Sequence, residues 1–177
     1  MVFLAGIDEA GYGPFVGPLA VGWSVFRVPH QKIDLWEALK VPVAKKALRK
    51  DARLRVDDSK KVHSGPLGRK RLERTVAAFR RVMEPSQECL ESWVSSPPAL
   101  ESHFRNRAPW LTNMRVPLCP LADRGRARLD ATALSRHLAK SGCSLAGFGS
   151  RAVPAAELNS LLQATDSKGE ALWKVTV

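Results

Sequence analysis

The chain has 177 residues, with 28 lysines and arginines against 17 acids, a formal charge of +11 and 45% hydrophobic residues. That apolar fraction suffices for the core of one domain and excludes a disordered tail. The uncharged stretch Pro14 to Phe26 is broken by two prolines and two glycines, which excludes a spanning helix.

The apolar start, Val2 to Ile7, has no basic residue ahead of it, so it does not read as a secretory leader. It predicts a buried strand whose C-terminal end delivers Asp8 and Glu9. Gly11, Gly13, Pro14, Gly17 and Pro18 predict a tight turn. Leu19 to Val28 is rich in β-branched and aromatic residues and predicts a second strand, paired back on the first as a hairpin. Asp34 to Leu39 reads as a short helix capped by Asp34. The basic stretch that follows, up to Val56, shows no periodicity. Leu67, Leu72, Val76, Phe79 and Val82 then recur at helical spacing and predict an amphipathic helix over Pro66 to Met83, ended by Pro85.

Cys89 to Val94 alternates as a strand does. Residues 95–130 carry repeated prolines and two arginine clusters and read as an insertion or an irregular connection. Ala131 to Ala139 predicts a helix and Cys143 to Val153 a strand. Pro154 to Gln163 predicts a helix with proline at its first position. Thr165-Asp166-Ser167 provides a cap for a helix that begins at Lys168 and is still running at Val177, so the chain is expected to continue further. The order of elements argues for an α/β protein with a mixed sheet flanked by helices.

Residues 45–81 contain fourteen of the basic side chains against four acids, which places +10 of the +11 in one segment. Such a field captures polyanions and makes nucleic acid the leading partner class. The cysteines, Cys89, Cys119 and Cys143, are odd in number and lack CxxC spacing, as expected for reduced thiols in a cytoplasmic protein. His30, His63, His103 and His137 show no metal spacing either.

Two adjacent carboxylates at the end of a buried strand repel each other unless a cation compensates, and hard oxygen donors suit Mg²⁺ or Mn²⁺. Neighbouring strand side chains leave opposite faces, so Asp8 and Glu9 reach one site only if the chain turns there, as Gly11 and Gly13 permit. The glycines are not a dinucleotide fingerprint, because Val16 occupies the third glycine position and no Walker lysine follows. Ser59, Lys60 and Lys61, in a polar turn ahead of the amphipathic helix, offer a hydroxyl and two ammonium groups to a backbone phosphate.

In chain order these pieces are G-I-D-E-A-G-x-G-P-x-x-G-P at residues 6–18, D-S-K-K at 58–61, and a basic helix. The combination resembles ribonuclease HII, the type 2 ribonuclease H family, over residues 2–30 and 57–83, and more loosely over 143–177. The resemblance implies a ribonuclease H-like domain over 1–177. It also implies a metal-dependent endoribonuclease that incises the RNA strand of RNA–DNA hybrids or ribonucleotides embedded in duplex DNA, in the cytoplasm and as a monomer.

It further implies two Mg²⁺ or Mn²⁺ ions held by four carboxylates. Asp8 and Glu9 are the first two, serving as catalytic and metal-binding residues. Gly11, Tyr12 and Gly13 are implied to lie against the ribonucleotide and its 2′-OH, and Ser59, Lys60 and Lys61 against a phosphate. Tyr12 stands where the family carries arginine. The third carboxylate is implied to lie beyond the helix that starts at Lys168. Asp123 and Asp130, in a proline- and arginine-rich setting, do not read as its replacement. The competing expectation is a ribonuclease H-like domain that binds nucleic acid without cutting it.

Overall fold

The computed structural model describes residues 1–10, 18–46, 51–84, 119–165 and 167–176. The turn expected from Gly11 to Pro18 up to its last residue, the strand expected at Cys89 to Val94 and the first part of the segment expected to be irregular lie outside the described residues.

Three strands, β1 (Val2–Ala10), β2 (Leu19–Val28) and β5 (Ser144–Val153), form an antiparallel sheet in the order β1-β2-β5. β2 has the predicted bounds and is the central strand, with Leu19, Val21 and Val28 buried. β1 pairs with β2 as expected but runs three residues past Ile7, so Asp8 and Glu9 are strand residues.

Its burial corrects the sequence reading. As the sheet's outer strand among the described residues, β1 packs only Val2 and Leu4 against a core, while Phe3 is 65% and Ile7 52% exposed. A short apolar run therefore does not mean burial on both faces. The parallel component expected of a mixed sheet falls in a separate ladder, β3 (Val43–Ala44) with β4 (Leu54–Arg55), in which Val43 pairs with Leu54 and Ala44 with Arg55.

The described chain divides into two compact units. The first holds residues 1–4, 25–46, 51–84 and 119–148, and the second 5–10, 18–24, 149–165 and 167–176.

In the first unit, α1 (Leu35–Leu39) starts where predicted: Asp34 accepts hydrogen bonds from the Trp36 and Glu37 N–H groups at 2.8 and 3.4 Å. The segment read as a polar turn is a helix, α2 (Ser59–His63), capped by Asp58, which accepts from the Lys60 N–H at 2.9 Å. α3 (Gly68–Met83) begins two residues later than predicted. Leu67 precedes it and stays 57% exposed, and a Cβ on Gly68 would run into the His63 carbonyl, so only glycine permits this corner.

α4 (Arg124–Lys140) begins seven residues before the predicted Ala131 because Asp123 caps it, accepting from the Arg126 N–H at 2.6 Å. It ends in a Schellman motif: Cys143 N–H donates to Leu138 O at 2.9 Å and Gly142 N–H to Ala139 O at 3.0 Å, with Gly142 at φ +66°. α3 and α4 close over the sheet residues Val28 and Leu145 with Ala78, Phe79, Leu134 and Leu138, and Phe79 stacks on Phe148 at 5.8 Å between centroids. Each such fully buried large side chain stabilises by about 1.5–3 kcal/mol.

In the second unit, α5 (Ala155–Thr165) and α6 (Lys168–Thr176) cover Leu19, Val21 and Val153 with Leu158 and Val175. Pro154 stands one residue before the first helical position, and its carbonyl accepts from Leu158 N–H at 3.0 Å. Ser167 Oγ accepts from Glu170 N–H at 3.4 Å, the cap that was expected. Arg151 ties strand to helices, donating to Glu157 at 2.6 Å and to the Val175 carbonyl at 3.1 Å. No described helix is long and apolar enough to cross a membrane.

Candidate nucleic-acid interface and acidic pair

Asp8 and Glu9 belong to the second unit and lie near the C-terminal end of β1, just before Ala10. Both are exposed, and the Glu9 N–H donates to Asp8 Oδ1 at 3.0 Å, a local bond that turns the Asp8 carboxylate toward its own backbone. The pair is therefore not the desolvated one the sequence suggested. Hydration, rather than a bound cation, is enough to keep two adjacent charges tolerable there. In kind, the donors fit a hard divalent cation. In number they are two of the four carboxylates implied, and no group of three or more His, Cys, Asp or Glu is gathered among the described residues. Gly11, Tyr12 and Gly13 lie outside the described residues.

Ser59, Lys60 and Lys61 belong to the first unit and are all exposed on α2. Asp58 fixes the start of that helix, and Val62, 1% exposed, anchors it to the interior. The periodicity of five residues was too short to reveal the helix, but its capping aspartate was visible. Lys61 lies 3.9 Å from Asp57, a distance that leaves its ammonium, 65% exposed, largely hydrated. Lys60 has no ion-pair partner among the described residues. Lys70, on the next helix, is also exposed.

The rest of the basic segment is less available than its charge suggests. Arg53 is held by Asp51 at 2.6 Å, Arg69 by Glu73 at 2.8 Å, and Arg80, buried, by Glu84 at 3.1 Å. Arg74 points inward to Asp130, with Nε 2.7 Å from Oδ2 and Nη2 2.9 Å from Oδ1, and Arg126 closes on the same carboxylate at 3.2 Å. Asp130 is thus occupied by two guanidinium groups and Asp123 by a helix cap. Nothing in the sequence signalled the Arg74–Asp130 pair, whose members are 56 residues apart.

Sequence reasoning also passed over Trp36, which is 45% exposed with the Lys45 ammonium 5.7 Å from its ring centroid. Burial first, and the Glu73 carboxylate second, push the Cys119 thiol up to about 12, and burial raises Cys143, so these two thiols favour the neutral form. No protein-family profile, no curated protein and no solved structure matches this chain.

Proposed function

We propose that this chain is a metal-dependent endoribonuclease with a ribonuclease H-like fold, acting in the cytoplasm on the RNA strand of RNA–DNA hybrids or on ribonucleotides embedded in duplex DNA. The observation that carries the reading is the run Gly6 to Pro18, which sets the exposed carboxylates Asp8 and Glu9 directly ahead of a glycine-rich segment. The exposed Ser59-Lys60-Lys61 helix supports it, because it offers a hydroxyl and two ammonium groups to phosphate.

Asp8 and Glu9 are the residues that would hold Mg²⁺ or Mn²⁺. Bound there, divalent metal supplies an activated water and stabilises charge on the leaving 3′ oxygen. Gly11, Tyr12 and Gly13 contribute close backbone approach to the ribonucleotide. Ser59 donates to a phosphate oxygen, and Lys60 and Lys61 neutralise the backbone on either side. Tyr12 in place of arginine predicts weak discrimination of single embedded ribonucleotides from continuous hybrid.

The test is cleavage of an end-labelled RNA–DNA hybrid in Mg²⁺ and in Mn²⁺ by the wild-type chain and by Asp8→Asn. Wild-type cleavage that Asp8→Asn lowers by about 100-fold or more supports the reading. Cleavage retained in the variant overturns it. The second reading, a nucleic-acid-binding domain without catalysis, rests on the exposed Lys46, Lys60 and Lys70, which have no ion-pair partner among the described residues. It expects the wild-type chain to bind hybrid and cut it in neither metal.

A further inference from the structure

Trp36 is the one exposed aromatic side chain of the first unit's described residues that has a cation held over its ring. Leu35 beside it packs against the core and Leu39 is buried, so α1 is anchored while its indole faces solvent. Lys40 lies one helical turn from Trp36 on the same face of α1. Lys45 and Lys46 follow β3, whose Val43 and Ala44 are buried and paired to β4. Arg53 locks the two pieces together, since its Nη1 donates to the Lys40 carbonyl at 3.1 Å while Asp51 holds Nε and Nη2. The indole and the lysines are therefore carried on braced backbone.

Lys40 is spoken for, at 2.9 Å from Glu37, and its pKa is raised by that hydrogen bond. Lys46 is exposed with no ion-pair partner among the described residues, and Lys45 has only the ring. An exposed aromatic face beside uncompensated ammonium groups is the composition of a single-strand site: a base stacks on the ring and the cations take the flanking phosphates.

We propose that Trp36, Lys45 and Lys46 form a second nucleic-acid contact, in which the indole stacks on an unpaired base and the two ammonium groups neutralise phosphates beside it. This contact rests on the proposed nucleic-acid-binding function and adds to it a preference for a single-stranded segment, distinct from the phosphate contact at Ser59, Lys60 and Lys61.

The test titrates the full chain with a fluorescein-labelled single-stranded oligouridylate and, in parallel, with a blunt RNA–DNA hybrid duplex. Trp36→Ala is expected to weaken single-strand binding by about 5- to 150-fold and to leave duplex binding nearly unchanged. Trp36→Phe, which keeps an aromatic face, retains most of the single-strand affinity and controls for folding. Lys45→Ala/Lys46→Ala lowers the slope of log affinity against log salt by about 1.4 for the single strand. Equal single-strand affinity in wild type and Trp36→Ala overturns the contact and leaves the proposed function standing. Failure of the wild-type chain to bind either probe overturns both.

Discussion

Replacing Asp130 by alanine removes the shared acceptor of Arg74 and Arg126 in the first unit. Asp130 is 8% exposed and takes two charge-assisted hydrogen bonds from Arg74, at 2.7 and 2.9 Å, with Arg126 at 3.2 Å. Breaking a fully buried pair costs about 3–5 kcal/mol, because one charge stays buried and unpaired. Here the arginine side chains keep 25% and 44% exposure, and both still donate to the Ala52 carbonyl, at 2.6 and 3.0 Å. Both guanidinium groups can rehydrate in part, so the expected loss is about 2 kcal/mol. For a chain of this length that is a fall in Tm of about 4–8 °C, read by circular dichroism. The same variant, assayed below its melting temperature, keeps whatever hybrid cleavage the wild type shows. A loss under about 0.5 kcal/mol would refute the claim that this carboxylate fastens α3 to α4. Full stability with cleavage abolished would refute the assignment of its oxygens to the arginines, and would make Asp130 a ligand.

Lys60→Ala/Lys61→Ala is expected to lower the salt slope of duplex binding by about 1.8 with no change in sequence preference; an unchanged slope removes both lysines from the interface. Gly149→Ala places a Cβ 2.6 Å from the Trp23 ring, so it is expected to destabilise by about 1–3 kcal/mol and to alter the near-ultraviolet dichroism of that indole. An unperturbed spectrum would mean that the ring moves aside freely. The Cys119 thiol, raised from 9.0 to about 12, favours the neutral form in the fold. Its contribution to stability is present below pH 9 and is lost as pH rises from 9 toward 12. Wild type is thus expected to lose more stability than Cys119→Ser between pH 8 and pH 10, in denaturant titrations, and parallel losses would remove the thiol from the alkaline transition.

What the sequence disclosed followed the length of each signal. β2 was legible from ten residues of β-branched and aromatic character, α3 from four turns of apolar recurrence, and α1 from Asp34 alone, because a cap is a single-residue signal. α2 was missed because five residues cannot nucleate a helix by propensity, and its stability comes from Asp58 and the buried Val62. β3 and β4, at two residues each, are below any periodicity. The first turns of α4 were hidden by their arginines: Arg-Gly-Arg-Ala-Arg reads as loop until Ala127 is found buried and Asp130 paired across to α3. At the acidic pair the residue types were legible and their exposure was not, because burial of β1 depends on which strands neighbour it and no local pattern specifies that.

The same limit applies to charge. A count of basic residues treats each as available, whereas the fold pairs several of them with carboxylates. Arg53, Arg69, Arg74 and Arg80 are drawn into carboxylates, Arg53 and Arg74 through two guanidinium nitrogens each. Lys46, Lys60 and Lys70 stay exposed and have no ion-pair partner among the described residues. Ammonium groups neutralise phosphates as point charges and read base edges poorly, whereas bidentate base contacts are the work of arginine. On α2, where the free cations are Lys60 and Lys61, the surface holds nucleic acid by its backbone, and discrimination there must come from elsewhere. Within the proposed function the two sources are the glycine-rich segment with Tyr12 against the 2′-OH and the Trp36 ring against an unpaired base. Neither reads base sequence, so the proposed function expects these two contacts to select by sugar and by strand state.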